Sequence, residues 1–404
     1  MRRLNSELTE LRESVTVALG DYVRYLRSQG SKVIGLQTGD PDFPTPQPII
    51  DAACRAMNKG ETHYSDSRGL LELRRAITDK LLRVNQVEYD PATEVLVTCG
   101  GVHAYYCALA SILSAGDEVL IPDPSWMTHA NVVTLLSGKA VRVPSSLENN
   151  FWPTFADWDK TVSSRTVALV VNSPNNPTGA VAERAYLNKL NQFAAAHDLY
   201  VISDEVYENI IYDGWSHTCF ASLPGARQRT LLVNSLSKTY AMTGWRVGYL
   251  AGPNEVIGTA LKASQHSITN LAPFIQRAAA FALNDPGMQE VSQQMTATYA
   301  RRRDMVMRLW RENRPPLIGL NEPQGAFYFF IDVRRLGMKS TELAERLLEE
   351  ASVALVPGSA FGNSGEGFLR LTTAATDADI EAGFRSLLEW ANEKFGNRII
   401  AQAQ

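Results

Sequence analysis

The sequence has no marked excess of charge of either sign. Its 39 Lys and Arg residues stand against 43 Asp and Glu residues, for a formal net charge of −4. A strong basic excess is the electrostatic signature of nucleic-acid binding, so we expect no nucleic-acid partner. The sequence also lacks any apolar run approaching the roughly 20 residues that a membrane-spanning helix needs, and we expect no membrane span.

Cysteine and histidine are also scarce. The 404 residues include four cysteines without a C-x-x-C pair, which favours reduced thiols over a disulfide framework or a zinc site. His63, His103 and His129 lie far apart without H-x-x-x-H spacing, so we expect hydrogen-bonded or exposed histidines and no metal site. The first 29 residues contain acidic side chains and no secretory apolar core, and we therefore expect a cytoplasmic protein.

Short apolar runs alternate with helical patterns through the middle of the chain. A length of 404 residues is enough for about two or three domains. Helical periodicity marks 103–114 and 182–197, and strands are predicted at 95–98, 118–121, 140–143, 167–172, 200–203, 230–233 and 247–251. Several of these runs are apolar along most of their length, as strands covered on both faces should be. The alternation predicts an α/β fold whose mostly parallel, doubly wound sheet has about seven strands.

From about Met305 the strands and helices become shorter. Apolar runs at 325–331, 353–356 and 368–372, with helices at 340–352 and 377–395, predict a second, smaller α+β domain. We expect residues 47–304 to form the large domain and 305–404 the small one, with 1–46 joining the small domain. In doubly wound sheets ligands bind beyond the carboxyl ends of the strands, so we expect functional residues directly after the predicted strands.

The most informative of these segments follows the strand at 230–233. Ser235, Ser237 and Lys238 are followed by Arg246, and together they suit an aldehyde that carries a phosphate. The hydroxyl groups and the guanidinium group can bind the phosphate, and the amine can form a Schiff base. Taken alone, S-x-S-K is more often a turn with a solvated lysine, so this motif needs support from elsewhere in the chain.

Three further segments follow predicted strands. Asp204 ends an apolar run, where its carboxylate is suited either to pairing with a pyridinium nitrogen or to capping the next helix. The stretch 172–179, N-x-P-N-N-P-T-G, is a turn whose density of special backbone residues favours a shaped ligand site. Gly100 and Gly101 lie between a strand and a helix, where glycine lets backbone N–H groups approach an anion.

These motifs, in this order, resemble those of the fold type I pyridoxal phosphate (PLP) enzymes, and specifically the class I/II aminotransferases. The resemblance covers nearly the whole chain. Its most specific parts are N-x-P-N-N-P-T-G at 172–179, S-D-E-V-Y at 203–207 and S-x-S-K-x-x-x-x-x-G-x-R at 235–246. Weaker matches are found at 39–43, 122–126, 325–328 and 369–371, and at Tyr64 with Gly69.

The resemblance implies a role for each matching residue. Lys238 resembles the lysine that binds PLP covalently and moves the substrate proton, and Asp204 the acid that pairs with the ring nitrogen. Tyr207 and Asn176 would contact the phenolic oxygen of the ring, and Trp126 would stack on the ring. The implied phosphate-binding residues are Gly101, Val102, Ser235, Ser237 and Arg246, with Tyr64 from a second subunit. The implied substrate-binding residues are Gly39, Asn176 and Arg370, of which Arg370 would bind the α-carboxylate.

Two of these roles have plain alternatives when the resemblance is set aside. Arg370 then reads as a surface arginine after a strand, and Trp126 as ordinary core packing. The sequence also departs from the family pattern at Val102, where many aspartate-using relatives carry a lysine that binds the side-chain carboxylate. The resemblance therefore does not imply aspartate as amino donor, and a neutral, aromatic or basic amino acid is as plausible.

The resemblance implies an aminotransferase that moves the amino group of an L-amino acid to a 2-oxo acid through pyridoxamine phosphate. It also implies a homodimer, because Tyr64 would reach the phosphate across a subunit boundary. A PLP-dependent lyase, cyclase or oxidase is the alternative within the same chemistry. A binding or regulatory protein that has lost catalysis is a third possibility, which the retention of Lys238, Asp204, Tyr207 and Arg370 disfavours.

Overall fold

A computed structural model describes residues 4, 8, 9, 11, 13–313 and 315–402 of the chain. The helices longer than one turn, with a short helix after the seventh strand, are α1 (Val15–Ser28), α2 (Gln47–Asn58), α3 (Leu71–Lys80), α4 (Gly100–Ile112), α5 (Met127–Leu135), α6 (Phe155–Thr161), α7 (Arg184–Ala196), α8 (Leu236–Thr239), α9 (Asn254–Ser267), α10 (Pro273–Asn284), α11 (Pro286–Asn313), α12 (Ser340–Ala351) and α13 (Asp377–Gln402).

The strands follow the predicted runs closely. They are β1 (Ile34–Gly35), β2 (Val95–Thr98), β3 (Glu118–Asp123), β4 (Lys139–Pro144), β5 (Thr166–Asn172), β6 (Tyr200–Asp204), β7 (Thr230–Ser235), β8 (Gly248–Ala251), β9 (Tyr328–Asp332), β10 (Val353–Ala354), β11 (Val356–Pro357) and β12 (Phe368–Thr372). Each of the seven strands predicted in the central region overlaps one of the strands β2 to β8.

The large sheet has the strand order β2-β8-β7-β6-β5-β3-β4. Strand β8 runs antiparallel to both of its neighbours, and the other neighbouring pairs are parallel. The predicted mostly parallel sheet of seven strands is therefore confirmed. Every residue of β3 and β7 is buried, because helices cover both faces of the sheet, and this explains why these strands read as continuous apolar runs.

The register of the central strands brings polar residues together at one edge of the sheet. Asn172 at the end of β5 lies opposite Asp204 at the end of β6, and Asp204 lies opposite Val233, two residues before the end of β7. The carboxyl ends of three parallel strands therefore meet at the same place, where a doubly wound sheet binds its ligands.

A separate hydrophobic cluster forms the core of the smaller α+β domain. Residues 306–395 contribute most of this cluster, and Leu36 joins it from the N-terminal segment. Strands β11, β12 and β9 form an antiparallel sheet, and β1 pairs in parallel with β10. The boundaries at 46 and 304 stay a prediction. Helix α11 continues through residue 304 without a break, so it links the two domains.

The prediction of a single strand at 353–356 is wrong, because the structure has two short strands there. Val353 and Ala354 pair with β1, whereas Val356 and Pro357 pair with β12. Leu355, between the two strands, is buried. The apolar run therefore contributes one strand to each of two sheets. The described helices include none that is both long and apolar enough to cross a membrane.

Gly248 in β8 is closely surrounded by backbone atoms of the large sheet and of helix α4. A β-carbon there would lie 2.7 Å from the carbonyl oxygen of Asn234, 2.7 Å from the carbonyl carbon of Gly100 and 2.9 Å from the nitrogen of Gly101. Because backbone atoms cannot yield as flexible side chains do, we expect Gly248→Ala to lower the free energy of unfolding by about 1–3 kcal/mol in denaturant titrations.

Gly258→Ala is the matched control for this substitution. Apart from the backbone of its own helix and its chain neighbours, no heavy atom of the described residues lies within 4 Å of a β-carbon at Gly258, inside helix α9. We expect that variant to be unchanged or more stable by up to about 1 kcal/mol, because alanine is the better helix former. Equal denaturation midpoints for the two variants would contradict the packing argument.

Candidate active site

A cavity of about 330 Å³ lies at the carboxyl ends of β5, β6 and β7. Most of the residues singled out from the sequence line it. They are Gly39, Gly101, Val102, Trp126, Asn176, Asp204, Tyr207, Ser235, Ser237, Lys238, Arg246 and Arg370. Tyr64 does not line this cavity, and its side chain is 88% exposed. The structure thus brings together residues that are up to 331 positions apart in the chain.

Lys238 is held by the turn that follows β7. Ser235 begins the short helix α8 by accepting a hydrogen bond from the backbone N–H of Ser237 at 3.1 Å. The amine of Lys238 then projects into the cavity and donates a 2.7 Å hydrogen bond to the carbonyl oxygen of Gly39. Burial lowers the pKa of this amine to about 8, although Asp40 opposes that shift. A larger share of this amine is therefore neutral at pH 7 than in an ordinary lysine, whose pKa is about 10.4.

Asp204 is buried against a histidine. Nε2 of His129 lies 3.0 Å from Oδ2 of Asp204, and both side chains are buried. The other carboxylate oxygen accepts a long 3.3 Å hydrogen bond from the N–H of Val206. The ring of Trp126 meets His129 edge-on, with centroids 5.3 Å apart. His129 is hydrogen-bonded, as expected, but nothing in the sequence pattern identified Asp204 as its partner.

Tyr207 is coupled to a second tyrosine. The hydroxyl groups of Tyr207 and Tyr328 lie 2.9 Å apart. Burial raises the pKa of the Tyr207 phenol well above its usual value, so the phenol keeps its proton at neutral pH. A β-carbon at Gly39 would lie 2.0 Å from the Tyr328 hydroxyl oxygen, so only glycine leaves room for this tyrosine. The sequence marked Tyr328 only as part of a weak motif match, not as a site residue.

Arg370 is buried, and the surface alternative for it is wrong: only 2% of the residue is exposed. Its guanidinium group donates to Oδ1 of Asn176 at 2.9 Å and to the carbonyl oxygen of Gln37 at 2.6 Å. The rings of Tyr328 and Phe361 lie 4.5 and 4.9 Å from its central carbon. Among the described residues its Nε has no hydrogen-bond partner. A buried arginine with a donor to spare suits a carboxylate ligand.

Arg246 belongs to a group of hydrogen-bond donors that lines the cavity beside the amino end of α4. It adopts the left-handed conformation with φ 54°, and its guanidinium group donates to the carbonyl oxygen of Thr243 at 2.8 Å. A β-carbon at Gly100 would lie 2.5 Å from Nη2 of Arg246, so glycine lets the guanidinium approach the amino end of α4. The Ser235 hydroxyl, 2.8 Å from that of Ser237, completes a group suited to a phosphate.

A second polar cluster lies behind the end of β6. Glu205, Glu208 and His217 offer ligand atoms within 4.8 Å of one another. Lys80 forms an ion pair with Glu208, and His217 Nε2 lies 2.8 Å from Glu205. Both carboxylates therefore already have cationic or hydrogen-bonding partners within the protein, as a buried structural network requires.

The lowered pKa of Lys238 predicts a distinct labelling profile. In protein freed of any bound aldehyde, we expect competitive acetylation of Lys238, followed by peptide mapping, to have a midpoint near pH 8, because only the neutral amine reacts. Exposed lysines, with ordinary pKa values of about 10.4, serve as internal references in the same digest. A midpoint for Lys238 above pH 10 would contradict the account of its burial.

The sequence is similar to those of known aminotransferases. A family model for aminotransferase class I and II matches residues 31–387. Over 362 residues the chain is 43% identical to an aspartate aminotransferase of Pyrococcus abyssi, covering 90% of this chain and 92% of that protein. It is 40% identical, over 362 residues, to aromatic-amino-acid aminotransferase 2 of Thermococcus litoralis, covering 90% and 92%.

The fold is similar to that of a solved aminotransferase structure. The structure of the Thermus thermophilus aspartate aminotransferase with maleate superposes with a TM-score of 0.91 at 36% identity, covering 96% of this chain and 100% of that one. The match extends over both domains, so neither the family model nor the fold rests on a fragment. The chain belongs to the aminotransferase class I and II family, and it is an aminotransferase.

Proposed function

We propose that the cavity holds PLP on Lys238 and that the protein uses it to exchange an amino group between an L-amino acid and a 2-oxo acid. One observation carries this proposal: a buried amine, a buried carboxylate and the guanidinium groups of Arg246 and Arg370 line a single cavity. An aldehyde, a pyridinium nitrogen, a phosphate and a substrate carboxylate are the four groups that such an arrangement recognises.

The residues present fit the cofactor at each of its polar positions. The donors around Arg246, with Ser235, Ser237 and the backbone N–H groups of Gly101 and Val102, would hold the phosphate. Asp204, oriented by His129, would hold a proton on the ring nitrogen. Tyr207 and Asn176 would contact the phenolic oxygen, and Trp126 would cover one face of the ring. When bound, PLP supplies the electron sink that stabilises negative charge on the α-carbon of the substrate.

The remaining steps belong to side chains of this chain. Arg370 binds the α-carboxylate in two-point contact and so fixes the orientation of the α-carbon. Once its amine is free, Lys238 accepts the proton of the α-carbon on Nζ and then releases it. A pKa of about 8 suits this task, because the amine can both accept and release a proton near neutral pH.

We propose that the protein is a homodimer in which Tyr64 of one subunit contacts the phosphate site of the other. The high exposure of Tyr64, and its position outside the cavity of its own chain, support this arrangement. A cytoplasmic location is also part of the proposal, supported by four unpaired cysteines. A monomer with full activity in active-enzyme sedimentation would contradict the shared site.

The test of the proposed reaction uses the purified PLP-loaded enzyme and an amino donor without an acceptor. We expect one equivalent of 2-oxo acid and one of pyridoxamine phosphate per site, and renewed PLP after pyruvate or 2-oxoglutarate is added. A lyase, cyclase or oxidase would return PLP without an acceptor. We expect Lys238→Ala to abolish turnover while the cofactor still binds non-covalently, and turnover by that variant would contradict the role of Lys238.

Arg370→Lys tests the two-point contact with the α-carboxylate. Lysine keeps the charge but presents a point donor, so we expect kcat/KM to fall by about tenfold to a hundredfold for every amino donor, equivalent to roughly 1.5–3 kcal/mol. The visible absorption of bound PLP should persist, because Lys238, which would form the covalent link, is unchanged. A loss restricted to one donor class would contradict this role.

A further inference from the structure

A buried ion pair lies beside the turn that carries Lys238. Lys80, the last residue of α3, pairs with Glu208, which follows Tyr207 in the chain. The side chains of Lys80 and Glu208 are 9% and 4% exposed, and neither residue is among those that line the cavity. Because removing two charges from water offsets most of their attraction, a buried ion pair adds little net stability to a fold. Stability alone therefore does not explain this pair.

Two asparagines complete the hydrogen bonds of the pair. Asn85 donates from Nδ2 to Oε2 of Glu208 at 2.8 Å, and its Oδ1 accepts from the Lys80 amine at 2.8 Å. Asn234, the penultimate residue of β7, donates from Nδ2 to the other carboxylate oxygen of Glu208 at 2.6 Å. All four residues are buried, and together they form what we call the Glu208 network.

The Glu208 network ends at the backbone of the turn that we assign to the phosphate. Oδ1 of Asn234 accepts a hydrogen bond from the backbone N–H of Ser235 at 2.7 Å. The hydroxyl oxygen of Ser235 accepts from the N–H of Ser237 and so begins helix α8, which contains Lys238. A continuous series of hydrogen bonds therefore connects a charge outside the cavity to the backbone that presents Ser235, Ser237 and Lys238.

The charge of Glu208 determines the orientation of the Asn234 carboxamide. An ionised carboxylate only accepts hydrogen bonds, so the amide nitrogen must face Glu208, and the amide oxygen is left for the Ser235 N–H. Burial alone would raise the pKa of the Glu208 carboxyl, but the charge of Lys80 outweighs burial and holds that pKa below its ordinary value. The carboxyl is therefore ionised at neutral pH, as this orientation requires.

We propose that Glu208 is a positioning residue for the cofactor. Through Asn234 it holds the backbone at Ser235 in the conformation that receives the phosphate and directs the Lys238 amine into the cavity. This inference rests on the proposed function for the identity of the bound group. Glu208 does not line the cavity, so it acts through Asn234 and is not a catalytic residue.

Glu118 provides a matched control for a role confined to fold stability. Its side chain is also 4% exposed, and it also belongs to a network in the large sheet, with Lys139, Arg165 and Ser163 as partners. Glu118 begins β3, whereas the cavity lies at the carboxyl ends of the strands. We expect both Glu208→Gln and Glu118→Gln to lower the free energy of unfolding, but only the first to affect the cofactor.

The first test measures PLP affinity by absorbance titration of the full-length protein freed of cofactor. Glutamine at position 208 replaces an acceptor oxygen with a donor, so one amide of the network must face another donor and Lys80 loses its counter-charge. We expect the dissociation constant for PLP to be about tenfold to a hundredfold weaker in Glu208→Gln. Glu118→Gln should bind PLP as the parent protein does.

A double-mutant cycle tests whether Glu208 acts through Asn234. Asn234→Ala removes the acceptor of the Ser235 N–H and leaves the Lys80–Glu208 pair in place, so we expect a loss of PLP affinity of similar size. The variant with both substitutions should bind PLP no more weakly than Asn234→Ala alone, because the route from Glu208 to the turn is then already broken.

Hydrogen–deuterium exchange without PLP reports on the turn itself. We expect the peptide that contains residues 235–238 to exchange about tenfold faster in Glu208→Gln and in Asn234→Ala, because the Ser235 N–H is less well held. Peptides from β3 should exchange at the parental rate in both variants. Glu118→Gln should show the opposite pattern, with faster exchange in β3 and a parental rate at 235–238.

The outcomes separate this inference from the proposed function. If the parent protein binds no PLP, the proposed function fails, whereas exchange at 235–238 still tests the network. If Glu208→Gln or Asn234→Ala binds PLP as the parent does, or if Glu118→Gln weakens binding equally, the positioning role is overturned. Losses that multiply in the double variant would also overturn it, because Glu208 would then act by a route other than Asn234.

Discussion

The hydrogen bond from the Lys238 amine to the Gly39 carbonyl joins the two parts of the protein at the cavity. Lys238 follows β7, which lies between β6 and the antiparallel strand β8 in the large sheet, whereas Gly39 lies in the N-terminal segment, against Tyr328 of the small domain. Burial of the amine at this junction lowers the pKa of Lys238 to about 8, in the range where proton transfer is efficient. Domain packing therefore tunes the reactivity of the side chain.

The large sheet brings the residues of the site together. Parallel strands end at one edge, so the residues after β5, β6 and β7 become neighbours without any loop having to reach far. The small domain and α1 complete the cavity with Arg370, Tyr328 and Arg24. Buried contacts hold the first two in place, whereas Arg24 is exposed and loosely paired.

Much of this arrangement was predictable because its signals are local. Strands covered on both faces are continuous apolar runs, and the motif around Lys238 is contiguous in sequence. The missed features depend on partners far apart in sequence. His129 meets Asp204 from 75 positions away, and the place of Tyr328 depends on the missing side chain of Gly39. Arg24 is an exposed helix residue that lines the cavity only because the fold brings α1 there, and the proposed role of Tyr64 requires a second chain.

The most direct test of this account is borohydride reduction of the PLP-loaded enzyme followed by peptide mapping. Reduction makes the link between the aldehyde carbon and its amine permanent, so the labelled position identifies the reactive lysine whatever the amino donor turns out to be. The account predicts one pyridoxyl group per chain, attached to Nζ of Lys238. A label on any other lysine, or no label at all, would contradict it.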